Sequence, residues 1–573
     1  MLTRLVVRNF KLFAEAEIEL GERVVFVGPN NAGKTSALQA LALWSYGARR
    51  WVEKRGIGNV PEKRAGVTIN RRDLIGLPVP SANLLWRDLH VRKGYREENK
   101  TKTRNLLIEI TVEGVDNGEV WSADLEFDYA NEESFYCRSR LSTDGTRKRI
   151  PAVATNLRMA YLPPMSGLAA NETRLDEGAI DVRIGEGRTA EVLRNLCWQA
   201  QQRSADGWTR IVERVRSLFG VELDDPEYIK ERGEIVMSFR TSAGVRLDLS
   251  ACGRGQQQTL LLLAHMAANP GAVLLLDEPD AHLEILRQRQ IYDVLTDTAQ
   301  ETGSQIIAAS HSEVILNEAA DRDIVVAFVG RPHRIDDRGS QVAKALKEIG
   351  FEQYLQAQET GWVLYLEGST DLAILRAFAA QLGHPALARL DRPFVRYVAN
   401  QPGQARYHFY GLREAVPTLS GLALYDRLEI ALQPDPALVQ RMWKRREIEN
   451  YLCQRETLLA WASAKGSNQA GELFSTVWRD TMETAIDEVA AALETLGKPG
   501  PWSDDLKASD EFLQPVFQKF FGKLGLSDLM RKTDYHTLAP YVDTAYIAPE
   551  VLELLNEIER IADQCSSIKD AAQ

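Results

Sequence analysis

Three carboxylates, Asp277, Glu278 and Asp280, follow directly on four apolar residues in the stretch VLLLDEPDAHLE. Adjacent acids at the end of a buried strand call for a cation, because an uncompensated carboxylate is costly to desolvate. The residues that would bring one lie near the start of the chain. GPNNAGKTS, residues 28 to 36, fits G-x-x-x-x-G-K-[ST], whose backbone N–H groups face phosphate oxygens while the next helix adds its N-terminal dipole. Gly28, Asn30, Asn31, Ala32, Gly33, Lys34, Thr35 and Ser36 are therefore the candidate ATP contacts. In this reading Lys34 neutralises β- and γ-phosphate charge and Thr35 ligates Mg²⁺. Asp277 is the second acid on Mg²⁺, and Glu278 orients and deprotonates the attacking water. A further strand, QIIAA, ends in Ser310 and His311, and His311 is the expected γ-phosphate contact.

A second acidic set follows. VLYLEGSTD puts Glu367 at a strand end and Asp371 in the first turn of the next helix, and LALYD ends in Asp426. Neighbouring parallel strands bring their C-terminal ends together, so Glu367, Asp371 and Asp426 can share Mg²⁺ or Mn²⁺ and support phosphodiester chemistry. In KRREIENYL, Glu447 and Glu449 lie two apart, about 200° around a helix. Only one is then expected to reach the metals, and Glu449 is favoured.

The elements that must position these groups are legible from periodicity. Residues 2 to 27 read as paired strands, LTRLVVRNF, AEAEIEL and RVVFVG, the last running into the phosphate loop. From about 50 to 240 the signal is mixed, and this stretch is expected to be an insertion with room for a partner-binding lobe. Residues 247 to 330 return to strand–helix alternation. The expected organisation is an ATPase domain over 1–330, a connector over 331–361, a second α/β core over 362–455 and a helical C-terminal part over 456–573.

Composition narrows the classes. The net charge of −11 over 573 residues argues against a protein that coats polyanions everywhere, while leaving room for local basic clusters such as RRWVEKR, VRKGYR and RMWKRR. Five scattered cysteines without a C-x-x-C pair suggest neither a disulfide framework nor a zinc site, and a reducing cytoplasmic setting is expected. No apolar run approaches the length of a membrane span.

The first motif order resembles the ABC-type ATPases of the SMC and RecF group, with LSACGRGQQQ in the place of the signature and DAHLE in that of the D-loop. This resemblance implies that Ser250, Gly253 and Gly255 contact ATP bound to a second subunit, and hence a homodimer or higher homo-oligomer. The second order resembles the TOPRIM domain, with EGSTD as its glutamate motif. Leu428 stands where TOPRIM proteins carry a second aspartate, and Glu429 or the later KRREIENYL is an alternative ligand source. Together the two look like the OLD (overcoming lysogenisation defect) family of nucleases and the nuclease subunit of the Gabija phage-defence system. That resemblance implies an ABC/SMC-like P-loop ATPase domain followed by a TOPRIM α/β domain with a helical C-terminal region. It also implies ATP-controlled, metal-dependent cleavage of DNA, a helicase-like or other defence partner protein, and a lysine near the C-terminus that assists cleavage, for which Lys532 is the local candidate. Two other classes compete: an ATP-driven DNA clamp or sensor whose TOPRIM-like module lost chemistry at Leu428, and a transporter ATPase, which the second acidic set disfavours.

Overall fold

The computed structural model describes the chain except residues 57–59, 62–65, 75–76, 78, 98–99, 142–145, 166–167, 170, 321, 336–348, 392, 471 and 573. Chain contacts divide it into two units, Met1–Ala343 and Lys344–Gln573. The break falls within the expected connector, part of which lies outside the described residues; Phe351–Thr360 forms a helix of the second unit.

In the first unit, Leu2–Phe10 and Phe13–Glu19 form an antiparallel hairpin. Leu5 and Val7 are buried on one face, while Arg4 and Arg8 on the other pair across strands with Glu17, Glu113, Glu15 and Glu109. Ile108–Asp116, Glu119–Asn131, Ser134–Ser139 and Val67–Asn70 extend this hairpin into a six-stranded antiparallel sheet. Much of the stretch from 50 to 240 builds the sheets of the first unit. It supplies four strands of this sheet and, as Met159–Leu162, one edge of the next.

The expectation that RVVFVG pairs with the hairpin is corrected. Arg23–Val27 belongs to a second sheet in the order Met159–Leu162, Val273–Asp277, Gln305–Ser310, Arg23–Val27, Ile324–Ala327, His333–Arg334. The first five strands are parallel and the last is antiparallel. A continuous apolar strand suits burial on both faces, which a parallel sheet provides and a half-solvated hairpin does not. The helix Lys34–Arg55 lies between the sheets, burying Leu38, Leu41, Trp44 and Trp51 in one core. The other face of the parallel sheet is covered by Leu193–Arg203, Ala205–Phe219, Arg254–Ala268 and Ile285–Thr302.

Within Arg254–Ala268, His265 is 3% exposed and neither ring nitrogen makes a well-formed hydrogen bond among the described residues. Burial lowers its pKa to about 4, and a contact with the Ala160 backbone offsets part of this. Between pH 6.5 and 4 the unfolded chain takes up a proton that the folded chain refuses, so stability is lost as pH falls, by up to about 3 kcal/mol. His265→Gln is expected to flatten this acid slope of urea stability. Parallel pH profiles for the two proteins would contradict the assignment.

In the second unit, Val395–Tyr397, Trp362–Leu366, Ser420–Tyr425 and Leu438–Met442 form a four-stranded parallel sheet in that order. Its core is shared with the helices Ser369–Gln381, Arg455–Ala470, Glu472–Thr495, Gln514–Lys523 and Pro549–Ala572. Ser509–Leu513, just before Gln514–Lys523, is a single π-helical turn. Such turns carry an extra residue and are frequent at functional sites.

Candidate functional site

The loop Gly28–Gly33 is shaped by backbone that few residues tolerate. Gly28 has φ 154° and Gly33 φ 104°, with Asn31 at 63° between them. A Cβ on Gly28 would lie 2.7 Å from the Phe328 carbonyl oxygen, and one on Gly33 2.8 Å from the Phe13 ring. Only glycine fits at either place, and the two let the loop turn tightly into the helix.

Three adjacent parallel strands carry their chemistry at the same end of the sheet. Lys34 Nζ donates to the carbonyls of Gly28 at 2.7 Å and Pro29 at 3.0 Å, and lies 3.4 Å from His311 Nδ1. Burial lowers its pKa to about 8 despite the attraction of Glu278 and Asp277. An ammonium so poorly solvated gains strongly from a polyanion beside it. Thr35 Oγ1 donates to Asp277 Oδ1 at 3.2 Å, and Tyr161 donates to Asp277 Oδ2 at 3.2 Å. Hydroxyl and carboxylate oxygens in contact are the hard donors that Mg²⁺ prefers, so Thr35 and Asp277 fit that ion. Burial, with Glu278 alongside, raises the pKa of Asp277.

Glu278 sits at φ 49°, its N–H bonded to the Ala309 carbonyl at 2.8 Å. Its Oε1 is 3.4 Å from His311 Nε2. Lys34, His311 and Glu278 thus form a chain, and burial together with Lys34 lowers the His311 pKa. Asp280 accepts from Ser310 Oγ at 2.8 Å, tying the loop after the acidic strand to the next strand end. Ser250 and Gly253 are exposed, Ser250 in a short 3₁₀ turn and Gly253 at the N-cap of Arg254–Ala268; Gly255 is half-buried in its first turn, against Leu283.

Two family models match this unit. Residues 1–118 match an AAA ATPase domain family, and residues 164–317 match an AAA domain family whose description names the AbiEii toxin of type IV toxin–antitoxin systems. The first covers the phosphate loop, the second the acidic strand and His311. The chain carries a P-loop ATPase domain. Over 77 residues it is 31% identical to the oligopeptide transport ATP-binding protein AppD of Bacillus subtilis (strain 168), covering 13% of this chain and 23% of that protein. Over 78 residues it is 32% identical to a protein described as a peptide import ATP-binding protein of Brucella abortus (strain 2308), covering 14% and 23%. The chain thus spans under a quarter of the length of these relatives. Among solved structures, the SMC head domain from Thermotoga maritima aligns at 16% identity and TM-score 0.31, covering 58% of this chain and 98% of that one. An Smc head domain bound to the C-terminal domain of ScpA derived from Pyrococcus furiosus aligns at 12% and 0.35, covering 61% and 99%.

Beside the ATPase domain's motif residues stand two that periodicity missed. Tyr161, whose hydroxyl reaches Asp277, lies on the edge strand of the sheet. Lys11, at φ 47° in the N-terminal hairpin, donates to Gln39 Oε1 at 2.5 Å, and burial lowers its pKa to about 8. Its positive φ and short side-chain reach were invisible in NFKLF. No helix among the described residues is long and apolar enough to cross a membrane.

In the second unit, Glu367 and Asp426 follow adjacent strands and Asp371 opens the helix Ser369–Gln381. Asp371 Oδ2 accepts the Glu367 N–H at 3.1 Å, and burial with Glu367 beside it raises the Asp371 pKa to about 6. The Asp426 pKa is raised by burial and by a hydrogen bond and charge from Glu367. The Glu449 pKa is raised by burial and by Glu447, with Lys532 acting the other way.

One expectation is corrected here. Glu447 and Glu449 are both buried, at 2% and 3% exposure, because the backbone is extended at Glu447 and then turns as 3₁₀ over Ile448–Tyr451; helical spacing does not apply. Glu429 is exposed. Among the described residues, no group of three or more His, Cys, Asp or Glu is arranged to hold a metal ion. Neighbouring groups hold several of the acids in this unit. Asp371 accepts the Glu367 N–H, Asp426 Oδ2 accepts from Asn400 Nδ2 at 3.2 Å, and Glu447 Oε1 accepts the Ser509 N–H at 2.5 Å.

Asn400, Lys507 and Asp510 were not found from sequence. Ala399 and Asn400 both have positive φ, 44° and 57°, a strain that tertiary contacts must hold. The Asn400 Oδ1 also accepts the Asp426 N–H at 2.9 Å, so one amide fixes both backbone and carboxylate. Asp510 joins two cations: Lys507 Nζ donates to its Oδ2 at 2.5 Å, and Lys532 Nζ lies 3.7 Å from its Oδ1. Asp510 chiefly, and Glu447 and Glu367 further off, raise the Lys507 pKa.

Crowded buried carboxylates make a divalent ion stabilising. In nucleotide-free buffer at pH 8, Mg²⁺ or Mn²⁺ at about ten times its Kd is expected to add about 1.4 kcal/mol, a rise in Tm of roughly 2–4 °C. The rise should shrink at pH 6, where protons compete, and vanish in Asp426→Asn. An equal rise in that variant, measured by calorimetry, would place the ion elsewhere.

Proposed function

We propose that the chain is an ATP-controlled, metal-dependent DNA nuclease of the OLD type, with the second unit a TOPRIM domain. What carries this reading is the pairing of Glu367 and Asp426 just past adjacent parallel strands, with Asp371 in the next helix and Glu449 in a 3₁₀ turn, burial and neighbouring acids raising the pKa of the last three. Oxygen donors of this kind suit Mg²⁺ or Mn²⁺, and a bound ion would supply Lewis acidity and an activated water. Glu367 and Asp426, with Asn400 holding the latter, are the groups that would hold it. Lys507 and Lys532, tethered by Asp510, are placed to offset negative charge on a phosphodiester. In the ATPase domain, Glu278 would orient water and His311 would sit beside the γ-phosphate.

A second copy of the chain fits the exposed signature. Ile285 and Leu286, just past the acidic loop, are 71% and 80% exposed, an apolar pair suited to subunit contact. A cytoplasmic role in phage defence or DNA processing, with a helicase-like or other partner protein, follows from the resemblance.

A second reading, a clamp or sensor without cleavage, is favoured by Leu428 at the second TOPRIM position. The deciding test is supercoiled plasmid with Mg²⁺ or Mn²⁺, with and without ATP. Cutting that Glu367→Gln abolishes supports the nuclease. Intact ATPase with no cutting in any condition overturns it in favour of the clamp.

A further inference from the structure

The helix Pro402–Ala415 begins two residues after Asn400, the residue bonded to Asp426, and its outer face is unlike the rest of this acidic chain. Tyr407 is 66% exposed and Tyr410 43%, and both lie on the stripe with Gly403 and Glu414. At 1.5 Å per residue, Tyr407 and Tyr410 stand about 7 and 12 Å along the axis from the carboxylate end. Arg406 and Arg413 occupy the shoulders of that stripe. At the near end Tyr397, 42% exposed, is close enough to Asp371 to feel its charge, and Arg396 precedes it. Arg396 and Arg406 donate to the neutral amides of Gln353 and Gln433. Asp435, which accepts from the Tyr410 hydroxyl, and Glu414 are outnumbered by the three arginines.

Exposed tyrosines interleaved with arginines suit a strand whose bases are free to stack and whose phosphates need cations. A duplex, its bases already stacked on each other, could use only the arginines. We infer that this face is a stacking track for unpaired nucleic acid, leading from the carboxylate cluster along Tyr397, Tyr407 and Tyr410. The inference rests on reading the second unit as a nucleic-acid enzyme, and it names the substrate class: single-stranded, frayed or flapped ends rather than continuous duplex.

The test is fluorescence anisotropy of full-length protein with a labelled single-stranded 20-mer and with the matching duplex, in EDTA so that cleavage plays no part. Tyr407→Ala is expected to weaken single-strand binding roughly tenfold, with duplex binding nearly unchanged, and Tyr407→Phe to keep wild-type affinity. Tyr410→Ala provides a second exposed position on the same stripe. Unchanged single-strand affinity in both alanine variants overturns the track, as does an equal loss for duplex. Cutting by a wild type whose binding ignores the tyrosines removes the track alone. Tyrosine-dependent binding without any cutting removes the nuclease reading and leaves the track.

Discussion

Glu367→Gln is expected to hydrolyse ATP at the wild-type rate and to leave plasmid uncut, a loss on the order of 10²- to 10³-fold in cleavage. Glutamine keeps the side chain's size and one acceptor oxygen but removes the charge that Asp426 and Asp371 feel most directly in the second unit. The same change should leave the fold more stable at pH 8 by about 1–2 kcal/mol, because one of several crowded anions has gone. Lost activity with gained stability is the signature of a strained site, whereas a merely structural glutamate would lose both. Cleavage and urea unfolding on one preparation separate these cases.

Lys34→Ala is expected to lower ATP hydrolysis by a comparable 10²- to 10³-fold and to make plasmid cutting indifferent to added ATP. Lys34 carries the ammonium that the Gly28 and Pro29 carbonyls hold in place, and methyl cannot replace it. Cutting by Lys34→Ala that matches wild type without ATP, and no longer changes with it, would show that control runs through this site. If wild type and variant respond to ATP alike, the nucleotide acts elsewhere.

What the sequence reveals of these sites depends on how local each feature is. Apolar runs ending in Asp277, Ser310 and Glu367 announce buried strands and their active ends, since period and chemistry are written within ten residues. The glycines of the phosphate loop are legible for the same reason. Tyr161 is different: it reaches Asp277 across 116 residues of chain, from a stretch whose pattern suggested only an insertion. Glu447 is fixed by the Ser509 N–H, 62 residues on, and the extended backbone there defeats any helical wheel. Asn400 depends on a left-handed backbone that asparagine tolerates but does not announce. The signal from 50 to 240 is mixed because strands that pair with the N-terminal hairpin carry no local mark of their partner.

The π turn at Ser509–Leu513 has a consequence for how this protein can change. It joins the packed helix Gln514–Lys523 to the segment holding Lys507, and Asp510 lies within the turn. Removing one residue from it would let the turn relax to α-helix and rotate everything upstream by about 100°, with the buried Phe517, Phe520 and Phe521 left in place. Lys507, upstream of the turn, would then be carried away from Lys532, which lies downstream near Glu449. Length in this short segment is therefore under tighter constraint than identity, and a single-codon deletion would be more damaging here than most substitutions.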